Sequence, residues 1–131
     1  MKKYHSFFLK LAAFYNIFWG AWIVLFPLQI FQITGMKTPL YPEIWQCVGM
    51  IVGVYGIGYY LASKNPEVHW PIVLVGLIGK VLGPIGFLNA LILERFSPLF
   101  GWVILTNDLI WWFPFGHILF VAWENNKLKE S

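Results

Sequence analysis

Four apolar blocks, at about 7–31, 43–63, 71–93 and 101–123, limit the fold of this chain more than any other feature. Each has roughly the 20 residues needed to cross a hydrocarbon core about 30 Å thick. None alternates apolar and polar residues as a barrel strand does, so helices are the means by which this backbone satisfies itself in lipid. Charge supports the same reading. Only 11% of the 131 residues are charged and 59% are hydrophobic, against about 25% charged in an ordinary soluble domain. Surface charges this sparse could not cover a soluble protein. The expected fold is all-α: one domain over 1–131, an integral membrane four-helix bundle in up-down-up-down order, because short connections favour antiparallel neighbours.

The first block follows Met1-Lys2-Lys3. It is too long for a signal h-region and no A-x-A cleavage site follows it, so it is read as a retained helix. The formal charge of +3 is informative through its distribution. Lys2, Lys3, Lys10, Lys64, Lys127 and Lys129 fall on one side of the expected membrane, and Lys37 and Arg95 on the other. The positive-inside rule then places both termini and the 64–70 loop in the cytoplasm. Basic residues so arranged report topology and give no ground for nucleic-acid binding. Trp70 and Trp123 mark one interface, and Trp45 and Trp102 the other. From Trp102 to Trp123 a helix rises about 31 Å, which suits an aromatic belt at each surface.

Glycines mark the expected packing faces. Gly49, Gly53 and Gly56 share one face of the second helix, and Gly76, Gly79, Gly83 and Gly86 one face of the third. Ala12, Ala13 and Gly20 flank Asn16 in the first. Small residues let helix backbones approach closely in lipid, where no hydrophobic force drives helices together. The single cysteine, Cys47, is expected to be a buried, inert thiol.

Polar residues inside the blocks are the candidate site. Counting about 1.5 Å of rise per residue puts Lys80, Asn16, Tyr55 and His117 in one layer, roughly 9–13 Å from the cytoplasmic ends. Gln46, Asn89, Asn107 and Asp108 form a second layer, roughly 5–11 Å from the outer ends. Lys80 and Asp108 then differ in level by about 9 Å, and the lysine stem leans away from Asp108, so no direct salt bridge is expected. Lys80 lies in the segment "LVGLIGKVLGPIGFLN" close to the glycine stripe, a position that faces the bundle or its seam. A mid-depth charge of this kind costs about 2.5–3.5 kcal/mol on insertion scales and marks a functional site by default. The competing account is a stem that snorkels its ammonium toward the interface. In "TNDLIWWFPFGH", Asp108, Trp111 and Phe115 share a face, and Pro114 is placed to kink the helix. The resulting ligand-binding set is Lys80, His117, Asn16, Tyr55, Asp108, Asn107, Asn89, Gln46 and Trp111. His5, His69 and His117 form no H-x-x-x-H or E-x-x-H pair, so no metal site is expected. The chain has no Ser-His-Asp arrangement, H-E-x-x-H or phosphate loop.

The stretches "GVYGIGYYLA", "HWPIVLVGLIGKVLGPIGF" and "NDLIWWFPF" resemble small bacterial four-helix membrane proteins of the DoxX-like neighbourhood. The resemblance covers the second to fourth helices and implies a bacterial inner-membrane protein; it implies no site and no activity. Three functional classes remain open. The leading one is a binding module or accessory subunit for an amphipathic small molecule of lipid or quinone type, or for a membrane partner. A small dimeric proton-coupled transporter or channel is the second. A membrane-embedded enzyme with Asp108, Lys80 or His117 as acid or base is the third. The expected surroundings are the lipid bilayer and a homodimer or larger membrane complex. No cofactor is indicated.

Overall fold

In the computed structural model, residues 2–130 form six α-helices joined by short turns. Met1, Ser131 and the side chain of Lys2, counted above among the lysines of one side, lie outside the described residues. The helices are α1 (Lys2–Leu25), α2 (Gln29–Thr34), α3 (Pro42–Ala62), α4 (Trp70–Ile92), α5 (Gly101–Asn107) and α6 (Trp112–Glu130). Four helical stretches are long and apolar enough to cross a membrane: Lys3–Leu25, Pro42–Ala62, Trp70–Ile92 and Pro98–Glu130.

Local chemistry sets the ends. Pro27 lies just beyond α1, where a helix cannot continue. The first block therefore ends earlier than the 31 expected, and residues 29–34 fold back as a separate short helix. Gly35 stops α2 in the left-handed conformation at φ 69°, and the Met36 amide reaches back to the Phe31 carbonyl at 2.9 Å. This turn places Ile30 and Phe31 over Trp19, Ile23 and Phe100 as one buried cluster. Pro42 and Pro71 sit in the first turns of α3 and α4, where the missing N–H costs nothing.

The most extensive contact is α1 against α3, followed by α4 against α6. At the first, glycine backbones nearly touch. A Cβ added to Gly20 would strike the Gly49 carbonyl oxygen and lie 3.0 Å from the Gly53 nitrogen. One added to Gly56 would lie 2.8 Å from the Ala13 carbonyl oxygen. A Cβ at Gly53, Gly79 or Gly86 would meet nothing within 4 Å among the described residues. The four glycines of α4 thus do not form a single contact face. Gly76 and Gly83 instead make room for side chains, the Tyr59 hydroxyl and the Asp108 carboxylate. Cys47 is exposed, contrary to expectation. It lies two residues, or about 200°, around α3 from buried Gly49, on the side turned away from α1.

The second core cluster joins all four long stretches through Leu9, Ala12 and Ala13, Tyr59 and Ala62, Val73, and Trp111, Phe115 and Ile118. The fourth block is not the continuous helix expected. It unwinds at Asp108, whose backbone sits at φ −120°, ψ −63°, and passes through a 3-10 turn at Leu109–Trp111 before α6 begins. Pro114, in the first turn of α6, disfavours a continuous helix just beyond this break. Its ring clashes with the carbonyl four residues earlier, at Ile110, and it supplies no N–H to that group.

Candidate functional site

The break leaves backbone carbonyls without their helical donors. In an unbroken helix Thr106 O and Asn107 O would accept from the amides of residues 110 and 111. Here the Trp111 amide turns to the Asp108 carbonyl instead, at 3.2 Å. Two side chains take over. The Trp111 indole N–H donates to Thr106 O at 2.9 Å, and Lys80 Nζ donates to Asn107 O at 2.6 Å. Lys80 is only 4% exposed, so its ammonium does not snorkel to a surface. It sits at the carbonyl end of α5, where a cation is favoured by the aligned peptide dipoles. The rings of Phe115, Tyr59 and Trp111 stand around it, with centroids 5.7, 5.8 and 5.9 Å from Nζ.

α4 has a matching defect. Pro84 lies four residues beyond Lys80 and has no N–H to give to the Lys80 carbonyl. The Trp112 indole N–H fills that position at 3.0 Å. Each of the two helical stretches therefore supplies a donor to the other's orphaned carbonyl.

Asp108 is also buried, at 5% exposure. Its Oδ1 accepts from the Asn107 side-chain amide at 3.2 Å, while Oδ2 lies against Gly83. Lys80 and Asp108 make no ion pair within 4.0 Å, but they line one cavity and so do not sit in the separate layers expected. Asn16, 3% exposed, donates from Nδ2 to the Val52 carbonyl at 3.2 Å. Among the described residues, the Oδ1 atoms of Asn16 and Asn107 are buried without a hydrogen-bond partner.

These groups enclose a cavity of about 200 Å³ whose walls include Asn16, Tyr55, Tyr59, Lys80, Asn107 and Asp108. The lining residues Ile51 and Tyr55 of α3 and Val75 and Gly79 of α4 are exposed, which puts the mouth between those two helices. An apolar groove of about 400 Å³ adjoins it, lined by Val54, Gly58, Pro71 and Ile72 and sharing Tyr55 and Val75 with the cavity.

The structure thus brings together five residues singled out in the sequence, Asn16, Tyr55, Lys80, Asn107 and Asp108, and leaves four outside the lining. His117 is exposed and pairs with buried His5 at 2.9 Å. Gln46 donates to the Val24 carbonyl at 2.9 Å, closing the last turn of α1. Asn89 is exposed on α4. Trp111 is buried behind Lys80 and lines a different groove, with Tyr15 and Thr106. Tyr59 was missed, although its ring flanks the ammonium and it is 2% exposed. Trp112 and Pro84 were missed as well. The spacing in "KVLGP", a proline four residues after Lys80, was the available signal.

No protein-family model matches this chain, and no curated protein or solved structure matches it.

Proposed function

We propose that this is a small integral membrane protein that binds an amphipathic molecule of the lipid or quinone type, with its polar head in the cavity at Lys80. In this reading the four apolar stretches span the bilayer up-down-up-down with both termini cytoplasmic, as the lysine distribution suggests. The bacterial inner membrane is the assigned location. Outward faces bearing Phe14, Phe18, Ile44, Ile51, Leu82 and Phe113, all exposed, support contact with lipid. Close approach at Gly20, Gly49 and Gly56 supports glycine-mediated packing of α1 on α3.

Size carries the functional reading. Sites that enclose a whole drug-sized ligand run to about 300–1,000 Å³, and the polar cavity measures about 200 Å³. It admits a head group but not a tail. The adjoining apolar groove between α3 and α4 takes the first part of a tail whose remainder stays in the bilayer. A mouth between helices suits a ligand that arrives through the membrane. A transporter is the second reading, favoured by the discontinuity at Asp108, since broken membrane helices often line substrate sites. An acid–base enzyme finds less support, because His117 lies away from Lys80 and Asp108.

Native mass spectrometry of the protein released from mild detergent tests the binding reading. The expected result is a retained amphiphile that is lost from Lys80→Met, while a folded Lys80→Met retaining it unchanged refutes the role of the lysine. Lys80→Arg restores binding only in part, because a planar guanidinium does not replace a compact ammonium.

A further inference from the structure

The lysines of one side gather more closely than topology alone requires. A separate depression of about 530 Å³ lies between the start of α1 and the turn from α3 to α4, and it shares no lining residue with the cavity at Lys80. Lys3 and Lys10 line it from α1 and Lys64 from the turn, and all three are exposed. An occupant therefore meets side chains that are already accessible. Lys3, Phe7 and Lys10 are spaced four and three residues apart, which puts them on one face of the helix. Helical side chains lean toward the N-terminus, which carries the Lys10 ammonium out of the apolar block and toward Lys3. Among the described residues no carboxylate lies within 4.0 Å of any of these ammoniums. Glu67 is the one acidic residue in the lining, so three positive charges share one negative. Ser6 adds a hydroxyl. Asn65 adds an amide NH₂, because its Oδ1 accepts from the Val68 N–H at 3.4 Å.

We infer that this depression binds the phosphate head of an anionic phospholipid. A phosphate brings several acceptor oxygens and takes lysine as a point-charge partner. Phe7, 56% exposed in the same lining, offers apolar contact to the glycerol and first acyl carbons, which a free phosphate lacks. The inference rests on the membrane-spanning reading and not on a ligand at Lys80. Basic recesses between helices on the cytoplasmic side suit lipid head groups. The rival is a general attraction of the lysine-rich face to anionic lipid, with no site. That rival treats Lys129, in the last turn of α6, no differently from Lys10.

A phosphatidylglycerol and a phosphatidylcholine with the same acyl chains share the phosphate and differ in net charge. Both are supplied in equal amounts to the intact protein in mild detergent, and retention is read by native mass spectrometry. The phosphatidylglycerol is expected to be retained at least about tenfold over the phosphatidylcholine. Lys10→Gln and Lys64→Gln, both at exposed positions, are each expected to cut its retention about fivefold, and Lys129→Gln to leave it unchanged. Equal retention of the two lipids overturns the inference, as does an equal loss in Lys129→Gln and Lys10→Gln. Loss in Lys80→Met without loss in Lys10→Gln also overturns it, by moving the lipid to the other cavity. Displacement of the lipid by equimolar glycerol 3-phosphate overturns the lipid source and assigns the site to a soluble phosphate compound. Retention that depends on Lys10 and Lys64 in a protein whose Lys80 cavity holds no amphiphile supports the inference and refutes only the reading of that cavity.

Discussion

The exchange of donors between α4 and the broken helix can be measured, because one half of it is conditional on a proline. Trp112 donates its indole N–H to Lys80 O at 3.0 Å, and that carbonyl is free only because residue 84 is proline. Trp112→Phe keeps a large aromatic ring and removes the donor. Leaving a carbonyl unpaired away from water costs about 1–3 kcal/mol. In the Pro84→Ala background the amide of residue 84 is restored and can bond Lys80 O itself. The indole is then redundant, and Trp112→Phe should cost well under half as much. Pro84→Ala has its own effect, a relief of up to about 3 kcal/mol for a proline inside a helix, but this cancels from the cycle. The expected coupling is about 1 kcal/mol or more. Equilibrium unfolding in mixed micelles, followed by far-UV circular dichroism, gives the four free energies. If the two substitutions add within about 0.5 kcal/mol, the usual limit for independent sites, the indole is not serving the carbonyl that Pro84 freed.

Two further perturbations address the frame around the site. Gly20→Ala places a Cβ against the backbone of Gly49 and Gly53 and should destabilise by about 1–3 kcal/mol, whereas Gly53→Ala points into open space and should gain up to ~1 kcal/mol of helix propensity; thermal unfolding in detergent tests the pair, and equal loss at both positions refutes the contact. A reporter enzyme active only outside the membrane, fused after Ser131, should be silent if both termini are cytoplasmic, and its activity would reverse the topology.

The apolar helices were legible in the sequence because composition and block length suffice to mark them. What failed was the treatment of each block as a straight rod. "FPLQ" contains the stop at Pro27 and Gly35 marks a second end, but the docking of Ile30 and Phe31 on Trp19 and Phe100 depends on contacts between distant segments. The site shows the same division. Depth along a helix grouped Asn16, Tyr55 and Lys80, which do share the cavity. It also grouped His117 with them, because depth says nothing about the direction a side chain takes around its helix, and His117 turns to His5. Asn107 and Asp108 were assigned to a separate layer because levels were counted along the helix axes. Such counting omits side-chain reach, and the Lys80 Nζ extends to the Asn107 carbonyl. Pro114 signalled a bend; that the helix would open as early as Asn107, and which side chains would reach the Thr106 and Asn107 carbonyls, was not readable from one helix alone.

Lys80 is best understood from the two kinds of contact that hold the protein together. α1 and α3 meet through glycine backbones and apolar side chains, with two side chains also donating across to backbone carbonyls, Asn16 to Val52 and Gln46 to Val24. α4 and the α5–α6 stretch meet through defects: the Lys80 carbonyl freed by Pro84, and the Asn107 carbonyl freed by the break near Pro114. Each is filled by a side chain from the opposite stretch, Trp112 in one direction and Lys80 in the other. A helix pair joined in this way leaves backbone groups unpaired when its members separate, and that fixes register. The cavity forms where the two pairs adjoin. Asn16, Tyr55 and Tyr59 come from the glycine-packed pair, and Lys80, Asn107 and Asp108 from the defect-packed pair. The buried ammonium therefore has a structural partner, Asn107 O, and lies beside a cavity whose opposite wall belongs to a separately specified unit. A substitution that shifts one pair alone, such as Gly20→Ala, should change the width of the cavity and leave the exchange between Lys80 and Trp112 intact.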